Sequence, residues 1–186
     1  MHSVPPEVPG VPTAARPRDL ATRPVLVAAT IGTGLMAGLY LAFDVSVMPR
    51  LARRDDEAYV TAMRRINGVL DNSGLFGLLF LGVFLATGLA AVLQRRRERP
   101  EAARWTGAAT ALYALSVAVT VCVNLPLNRR LARAGSPVGA DLAAVRKAFD
   151  RPWRSANVAR TLACTAALGA LGRALALHGR GAARSA

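Results

Sequence analysis

The sequence predicts an all-α membrane protein, built as a bundle of four transmembrane helices. Residues 25–43, 72–94 and 105–128 contain no charged side chain, and each stretch approaches or exceeds the roughly 20 residues that cross a bilayer core. The chain of 186 residues is 53% hydrophobic, yet its formal net charge is +13 and 23 of its 24 basic residues are arginines. Because the arginines lie mainly between the apolar stretches, neither a water-soluble enzyme nor a nucleic-acid-binding protein is expected.

Two further segments frame the predicted bundle. Residues 1–24 contain six prolines and read as a disordered leader, and residues 178–186 read as a disordered basic tail. Span 4 has the weakest pattern because Arg160 and Arg173 interrupt it, but three strong spans make a fourth span more economical than a re-entrant segment. The predicted spans are residues 25–47, 69–93, 105–127 and 156–177.

The three connections between the spans differ in length and charge. The first, near residues 49–68, has the pattern of a short amphipathic helix, and the third contains a second one over residues 140–149, which Pro152 is expected to end. The connection between spans 2 and 3 is short and carries five arginines. The positive-inside rule therefore predicts a multi-pass protein of the cell membrane with both termini in the cytoplasm.

The composition offers little material for a metal site. Cys122 and Cys164 lie far apart in apolar stretches, and His2 and His178 lie near opposite ends of the chain. No cofactor is therefore expected. Small residues recur in the spans, and the pair Gly34 and Gly38 predicts close helix packing.

Polar residues at the span ends are the candidate functional residues, because ionisable and amide groups are costly inside a membrane. In an antiparallel bundle the end of span 1, the start of span 2, the end of span 3 and the start of span 4 meet at one rim. The opposite rim has no matching set. This pattern indicates either a binding site or an interfacial polar belt. The residues concerned are Asp44, Asp71, Asn72, Asn124, Asn128, Asn157 and Arg160.

Local spacing favours the binding site. Asn124 and Asn128 are four residues apart, with Pro126 between them to free backbone carbonyls. Arg160 lies well inside span 4 and needs a partner, for which Asp44 and Asp71 are candidates.

Two aromatic residues remain ambiguous at this level. Trp153 shares one helical face with Asn157 and Arg160, and it is either an interfacial anchor or a stacking surface. Tyr40 is either a core residue or a phenol in the site.

Four segments follow one another along the chain in a recognisable order. They are Gly38-Leu39-Tyr40-Leu41-Ala42-Phe43 with Val47-Met48-Pro49, then Met63-Arg64-Arg65-Ile66-Asn67, then Asn124-Leu125-Pro126-Leu127-Asn128, and finally Trp153 with Asn157 and Arg160-Thr161. In this order they resemble the anthrone oxygenase-like family over residues 25–175. The resemblance implies a small four-helix membrane protein, and the fungal members of the family oxidise anthrones to anthraquinones in polyketide pathways without a recognised metal or flavin.

The residues are compatible with such chemistry, in which an anthrone-like or other phenolic polyketide loses a proton and its carbanion reacts with O2. Arg160 would stabilise the developing negative charge, and Asp44 or Asp71 would be the base. Molecular oxygen would be a co-substrate and no cofactor would be needed. The candidate substrate-binding residues are Tyr40, Asn72, Asn124, Asn128, Trp153 and Asn157.

Two other functions stay open. A membrane cyclase or isomerase could use acid–base chemistry on an apolar substrate without O2, and a non-enzymatic membrane subunit could bind a partner at the polar rim. The expected partners are the lipid bilayer and an apolar aromatic small molecule, and a homo-oligomer stays open.

Overall fold

The computed structural model describes residues 17–96, 99–134 and 141–183. Within these ranges the regular structure is helical and contains no strand. In chain order the elements are α1 (Pro17–Ala42), a first π turn (Phe43–Val47), α2 (Met48–Ala52), α3 (Asp56–Asp71), α4 (Gly74–Arg95), α5 (Pro100–Val119), a second π turn (Thr120–Asn124), α6 (Leu125–Arg133) and α7 (Leu142–Ala183).

Four helices are long and apolar enough to cross a membrane, which confirms the predicted fold class. They correspond to α1 with its π turn and α2, to α4, to α5 with its π turn and α6, and to α7. Leu75, Leu78 and Leu85 of α4 are 77%, 71% and 64% exposed, which suits a face turned toward lipid. The multi-pass membrane architecture thus follows from both helix length and surface composition.

Small residues let the four helices pack closely, but at another position than predicted. α7 packs along α1 and α5, while α4 packs along α1 and α5 on the other side. A Cβ added at Gly32 would collide with Val83, so the close approach of α1 and α4 occurs there. Gly38 is exposed and an added Cβ would meet nothing within 4 Å, so the predicted role of the Gly34–Gly38 pair is wrong at Gly38.

Two helix boundaries lie outside the predicted spans. The described part of α1 includes residues from Pro17 onward, so the helix extends at least eight residues before the predicted start at residue 25. α7 continues to Ala183, so part of the predicted tail is helical. The rest of the predicted leader, residues 1–16, and residues 184–186 of the tail lie outside the described residues.

Pro152 does not end the loop helix as predicted, because α7 is one helix of 42 residues that passes through it. Proline removes one backbone hydrogen bond and crowds the carbonyl four residues earlier. Both Pro152 and Ala148 are exposed, so this carbonyl lies on the outer face of the helix. The polar segment before span 4 and span 4 itself therefore form one continuous helix.

The two π turns share a sequence context that explains them. The first ends at Val47 and Pro49 follows two residues later, while the second ends at Asn124 and Pro126 follows at the same distance. Widening the turn before a proline relieves the crowding by its ring, and π turns of this kind are frequent at functional sites. Pro126 thus follows a π turn, while the freeing of backbone carbonyls beside it stays a prediction.

The opposite rim also holds buried polar groups, contrary to the sequence-based prediction. Gln94 is fully buried, and its Nε2 lies 3.3 Å from Nδ1 of His178. Arg99 donates from Nη1 to the carbonyl oxygen of His178 at 2.9 Å. The prediction was wrong because it ended spans 2 and 4 one residue too early to include Gln94 and His178.

Candidate functional site

A cavity of about 190 Å³ lies at the rim where the polar span ends converge. It is bounded by α1 and the first π turn, the end of α3, the first half of α4, the second π turn with the start of α6, and α7. Its lining residues are Leu39, Tyr40, Phe43, Asn67, Leu70, Asp71, Ser73, Phe76, Gly77, Phe80, Thr120, Val121, Asn124, Leu125, Asn128, Trp153, Asn157 and Arg160.

Seven of the nine residues predicted for the site line this cavity, and Asp44 and Asn72 do not. Asn72 is exposed and donates from Nδ2 to the carbonyl oxygen of Gly68, which caps α3. The seven residues that the structure brings together are Tyr40, Asp71, Asn124, Asn128, Trp153, Asn157 and Arg160.

Arg160 is only 7% exposed, and its guanidinium lies against the cavity. Nη2 donates to Oδ1 of Asn157 at 2.6 Å, and Nη1 lies at hydrogen-bond distance, 3.5 Å, from Oγ1 of Thr120. The guanidinium carbon lies 4.3 Å from the centre of the Tyr40 ring, a cation–π contact. Nε has no hydrogen-bond partner among the described residues.

The expected ion pair between Arg160 and a carboxylate is not formed by the residues that the structure describes. Asp44 instead accepts hydrogen bonds on both oxygens, from Nδ2 of Asn157 and from Oγ1 of Thr161, each at 2.7 Å. Asn157 therefore stands between the carboxylate and the guanidinium. The reason is register, because Asn157 lies one helical turn before Arg160 on the same face of α7.

A second hydrogen-bond chain crosses the mouth of the cavity. Nε1 of Trp153 donates to Oδ1 of Asn128 at 3.0 Å, and Nδ2 of Asn128 donates to Oδ2 of Asp71 at 3.0 Å. Trp153 is 3% exposed and packs against Phe43 and Phe149. Of its two predicted roles, that of an exposed interfacial anchor is therefore wrong. Asp71 is exposed at the mouth.

Asn124 is the least satisfied polar residue of the site. It belongs to the second π turn, is 2% exposed, and lines the cavity. Neither its amide nitrogen nor its amide oxygen has a hydrogen-bond partner within the described part of the chain. A buried unpaired amide costs about 1–3 kcal/mol, so this position indicates a group that a bound molecule would satisfy.

The wall that α4 contributes is apolar and aromatic. Phe76 and Phe80 stack with ring centres 6.2 Å apart and planes inclined by 11°. Phe80 also contacts Tyr113, whose hydroxyl donates to the carbonyl oxygen of Phe80. The cavity therefore combines aromatic rings with amides and a cation, a lining suited to a flat molecule that carries oxygen atoms.

Sequence reasoning missed several residues that line the cavity. Asn67 is buried, its Nδ2 has no partner among the described residues, and it lies four residues before Asp71 on α3, a spacing that could have revealed it. Thr120 also escaped notice, because a threonine in an apolar span usually bonds its own helix, as its hydroxyl does to Ser116 at 2.9 Å. The sequence alone did not distinguish Phe76 and Phe80 from the other apolar residues of span 2.

No group of three or more His, Cys, Asp or Glu residues in ranges 17–96, 99–134 and 141–183 is arranged to hold a metal ion. Cys164 is buried in the core beside Tyr113, while Cys122 is exposed on the outside of the second π turn.

Comparison with known protein families identifies a match for this region. The model of the anthrone oxygenase family matches residues 72–170, more than half of the chain. The matched region contains α4 to α7 apart from the end of α7, and with them Asn124, Asn128, Trp153, Asn157 and Arg160. Tyr40, Asp44 and Asp71 lie before it, as do the first two of the four segments that carry the resemblance noted above. No curated protein and no solved structure matched the chain.

Proposed function

The chain belongs to the anthrone oxygenase family, and on that premise we propose that its cavity binds an anthrone-like phenolic polyketide and promotes oxidation of that molecule by O2. Family membership supports an oxygenase-type function in general terms. The observation that carries the finer proposal is that the unpaired amide of Asn124 and the buried guanidinium of Arg160 line the same cavity as the aromatic wall of α4.

In the proposed reaction the methylene carbon of the anthrone becomes a carbonyl carbon. A base removes one methylene proton, and the carbanion, whose charge is shared with the oxygen across the ring, transfers electrons to O2 and forms a carbon–oxygen bond. The resulting peroxide takes up a proton. Loss of the second methylene proton then breaks the oxygen–oxygen bond and releases water. The carbon loses four electrons, and the four reduce O2 to one carbonyl oxygen and one water.

Arg160 would stabilise the oxyanion of the carbanion intermediate, because it is a buried cation that no carboxylate in the described residues contacts directly. Asn124 would hold an oxygen of the substrate in place. The aromatic side chains of Phe76 and Phe80 would lie against its rings. No step requires a metal or flavin, so the proposed enzyme uses O2 as co-substrate and no cofactor.

Asp71 is a better candidate for the base than Asp44. Asp71 lines the cavity, accepts one hydrogen bond through Oδ2, and is exposed at the mouth, where it can return its proton to water. Asp44 lies behind Asn157, and both of its oxygens already accept hydrogen bonds. Asp44 would then act by orienting Asn157 and, through it, Arg160.

The test is oxygen consumption by the purified protein in lipid bilayers supplied with anthrone. We expect uptake of one O2 for each anthraquinone formed, and activity that persists after treatment with a metal chelator. Asn72→Ala is the matched control, because Asn72 is a polar rim residue outside the cavity. Product formed without oxygen uptake would favour a cyclase or isomerase, and no reaction above the rate of spontaneous oxidation with any phenolic substrate would contradict an enzymatic role.

We propose the cell membrane as the location, with both termini in the cytoplasm. The support is the density of arginines around the short connection between α4 and α5. The measurement uses a reporter enzyme that is active only outside the cytoplasm, fused to the C-terminus. Activity of this fusion would contradict the proposed orientation.

A further inference from the structure

The cavity has a side opening between α4 and the second π turn. α4 packs along α5 but makes at most a weak approach to the second π turn and α6, so the helices diverge at this end. Gly77 of α4 lines the cavity, is exposed, and has nothing within 4 Å of an added Cβ. Val121 on the other side lines the cavity and is 53% exposed. The gap is thus continuous from the cavity to the outside of the bundle.

Exposed apolar side chains around this opening place it against the hydrocarbon region. Gly77 lies in the first turn of α4, three residues after its start at Gly74, which corresponds to about 4.5 Å along the helix axis at 1.5 Å per residue. Its neighbours Leu75 and Leu78 are the most exposed large apolar residues of α4. An opening with this lining faces lipid chains rather than water.

We propose that substrate enters through this lateral opening from the bilayer, and that Gly77 sets the width of a ligand that passes. This inference rests on the proposed function and deepens it, since it assigns the substrate to the class of planar apolar molecules dissolved in the membrane. Such a molecule meets the rings of Phe76 and Phe80 first and reaches Asn124 and Arg160 with its oxygen-bearing edge. The order of contacts thus matches the direction of entry.

The volume of the cavity supports the same route. At about 190 Å³ it is smaller than the roughly 300–1,000 Å³ of pockets that enclose a drug-sized ligand. A ring system with substituents would therefore project from the cavity. The lateral gap, which Gly77 and Val121 line, lets the projecting part of the ligand lie among lipid chains. The cavity therefore does not have to enclose the whole molecule.

The experiment compares Gly77→Leu with Gly82→Leu in proteoliposomes. Gly82 lies on the same helix, does not line the cavity, and also has nothing within 4 Å of an added Cβ, so it controls for the effect of a leucine on α4. The probe is anthracene, which resembles the substrate but lacks its oxygen and reactive methylene. Its arrival is followed by quenching of Trp153 fluorescence in a Trp105→Phe background, which leaves Trp153 as the only tryptophan.

We expect Gly77→Leu to slow the association of anthracene by about tenfold and to raise KM for anthrone with little change in kcat, because entry then requires rearrangement of the opening. Gly82→Leu should match the unmodified protein in both measurements. Equal rates for the two variants would overturn lateral entry while leaving oxygen uptake intact. Quenching that depends on Gly77 but without oxygen uptake from anthrone would support lateral entry and overturn the proposed reaction. Absence of quenching in every variant would overturn lateral entry.

Discussion

Arg160 and Asn157 lie one helical turn apart on α7 and are joined by a hydrogen bond of 2.6 Å between Nη2 and Oδ1. Asn157 in turn donates to Asp44, so the guanidinium is linked to the carboxylate through an amide rather than directly. A direct ion pair would neutralise the cation inside the bundle. The amide link orients Arg160 while leaving its charge available to a ligand at the cavity.

Replacement of Arg160 by glutamine should reduce kcat by about 10²–10³, the usual effect of removing one donor to a developing oxyanion. Arg160→Lys should restore only part of this loss, because lysine keeps the charge but lacks the planar fork that contacts Asn157 and the ring of Tyr40. The measurement is oxygen uptake with anthrone by protein that elutes as a single species in detergent. A folded Arg160→Gln variant with full turnover would end the assignment.

The two carboxylates should respond differently to the same substitution. Asp71→Asn should abolish turnover with little change in thermal stability, since Asp71 is exposed and would lose its proton-accepting oxygen. Asp44→Asn should mainly lower the melting temperature of the protein. Asn157 and Thr161 donate to the two different oxygens of Asp44, and an amide has an acceptor oxygen at only one of these positions. Both are measured by thermal unfolding in detergent and by oxygen uptake. Full activity in Asp71→Asn combined with loss in Asp44→Asn would reverse the assignment of the base.

Tyr59 should make the protein sensitive to alkaline pH. It lies on α3, outside the membrane spans, is fully buried, and donates from its hydroxyl to Oδ1 of Asp150 at 2.8 Å. Burial and the nearby Asp150 carboxylate raise the pKa of Tyr59 above its ordinary value near 10. The unfolded chain therefore loses this proton at lower pH than the folded protein, and the stabilisation, fully present below about pH 10, declines above it.

Tyr59→Phe removes this hydrogen bond and its pH dependence together. We expect it to destabilise the protein by about 1–2 kcal/mol near neutral pH and to flatten the decline in melting temperature above about pH 10. Parallel declines in the variant and the unmodified protein would show that Tyr59 does not cause the alkaline sensitivity.

The sequence predicted the helical bundle well because long uncharged stretches have few alternatives in a membrane. It predicted helix ends poorly. Pro152 carries a strong local signal for a helix end, but on an exposed face the lost hydrogen bond is inexpensive and packing against α1 and α5 continues the helix. Likewise the prediction placed Gln94 and His178 outside the spans, although both are buried and lie within hydrogen-bond distance of each other at the opposite rim.

The convergence of the polar residues was predictable from topology, but their pairing was not. Antiparallel order alone places Asp71, Asn128 and Arg160 at one rim. Which of them contact each other depends on rotation about each helix axis, and the π turns change that rotation locally. Asn157 contacts Arg160 because the two lie one turn apart on α7, and the rotation of the neighbouring helices places Asp44 against Asn157 rather than against Arg160. The aromatic wall at Phe76 and Phe80 depends on the same rotation.

Asn124→Leu should separate stability from function. The amide of Asn124 is 2% exposed and lacks partners among the described residues, so the folded protein bears the cost of burying it. Leucine has similar size and needs no hydrogen bond, so the variant should be more stable by about 1–3 kcal/mol. If the amide holds an oxygen of the substrate, the same change should raise KM for anthrone and lower turnover, because the substrate oxygen then lies unpaired against an apolar side chain.

Asn72→Leu, at an exposed position outside the cavity, is the matched control and should alter neither property by much. Thermal unfolding in detergent and oxygen uptake in bilayers measure the two effects on the same preparation. Loss of stability in Asn124→Leu would mean that the amide has a structural partner, and gain of stability with unchanged turnover would remove Asn124 from the substrate site.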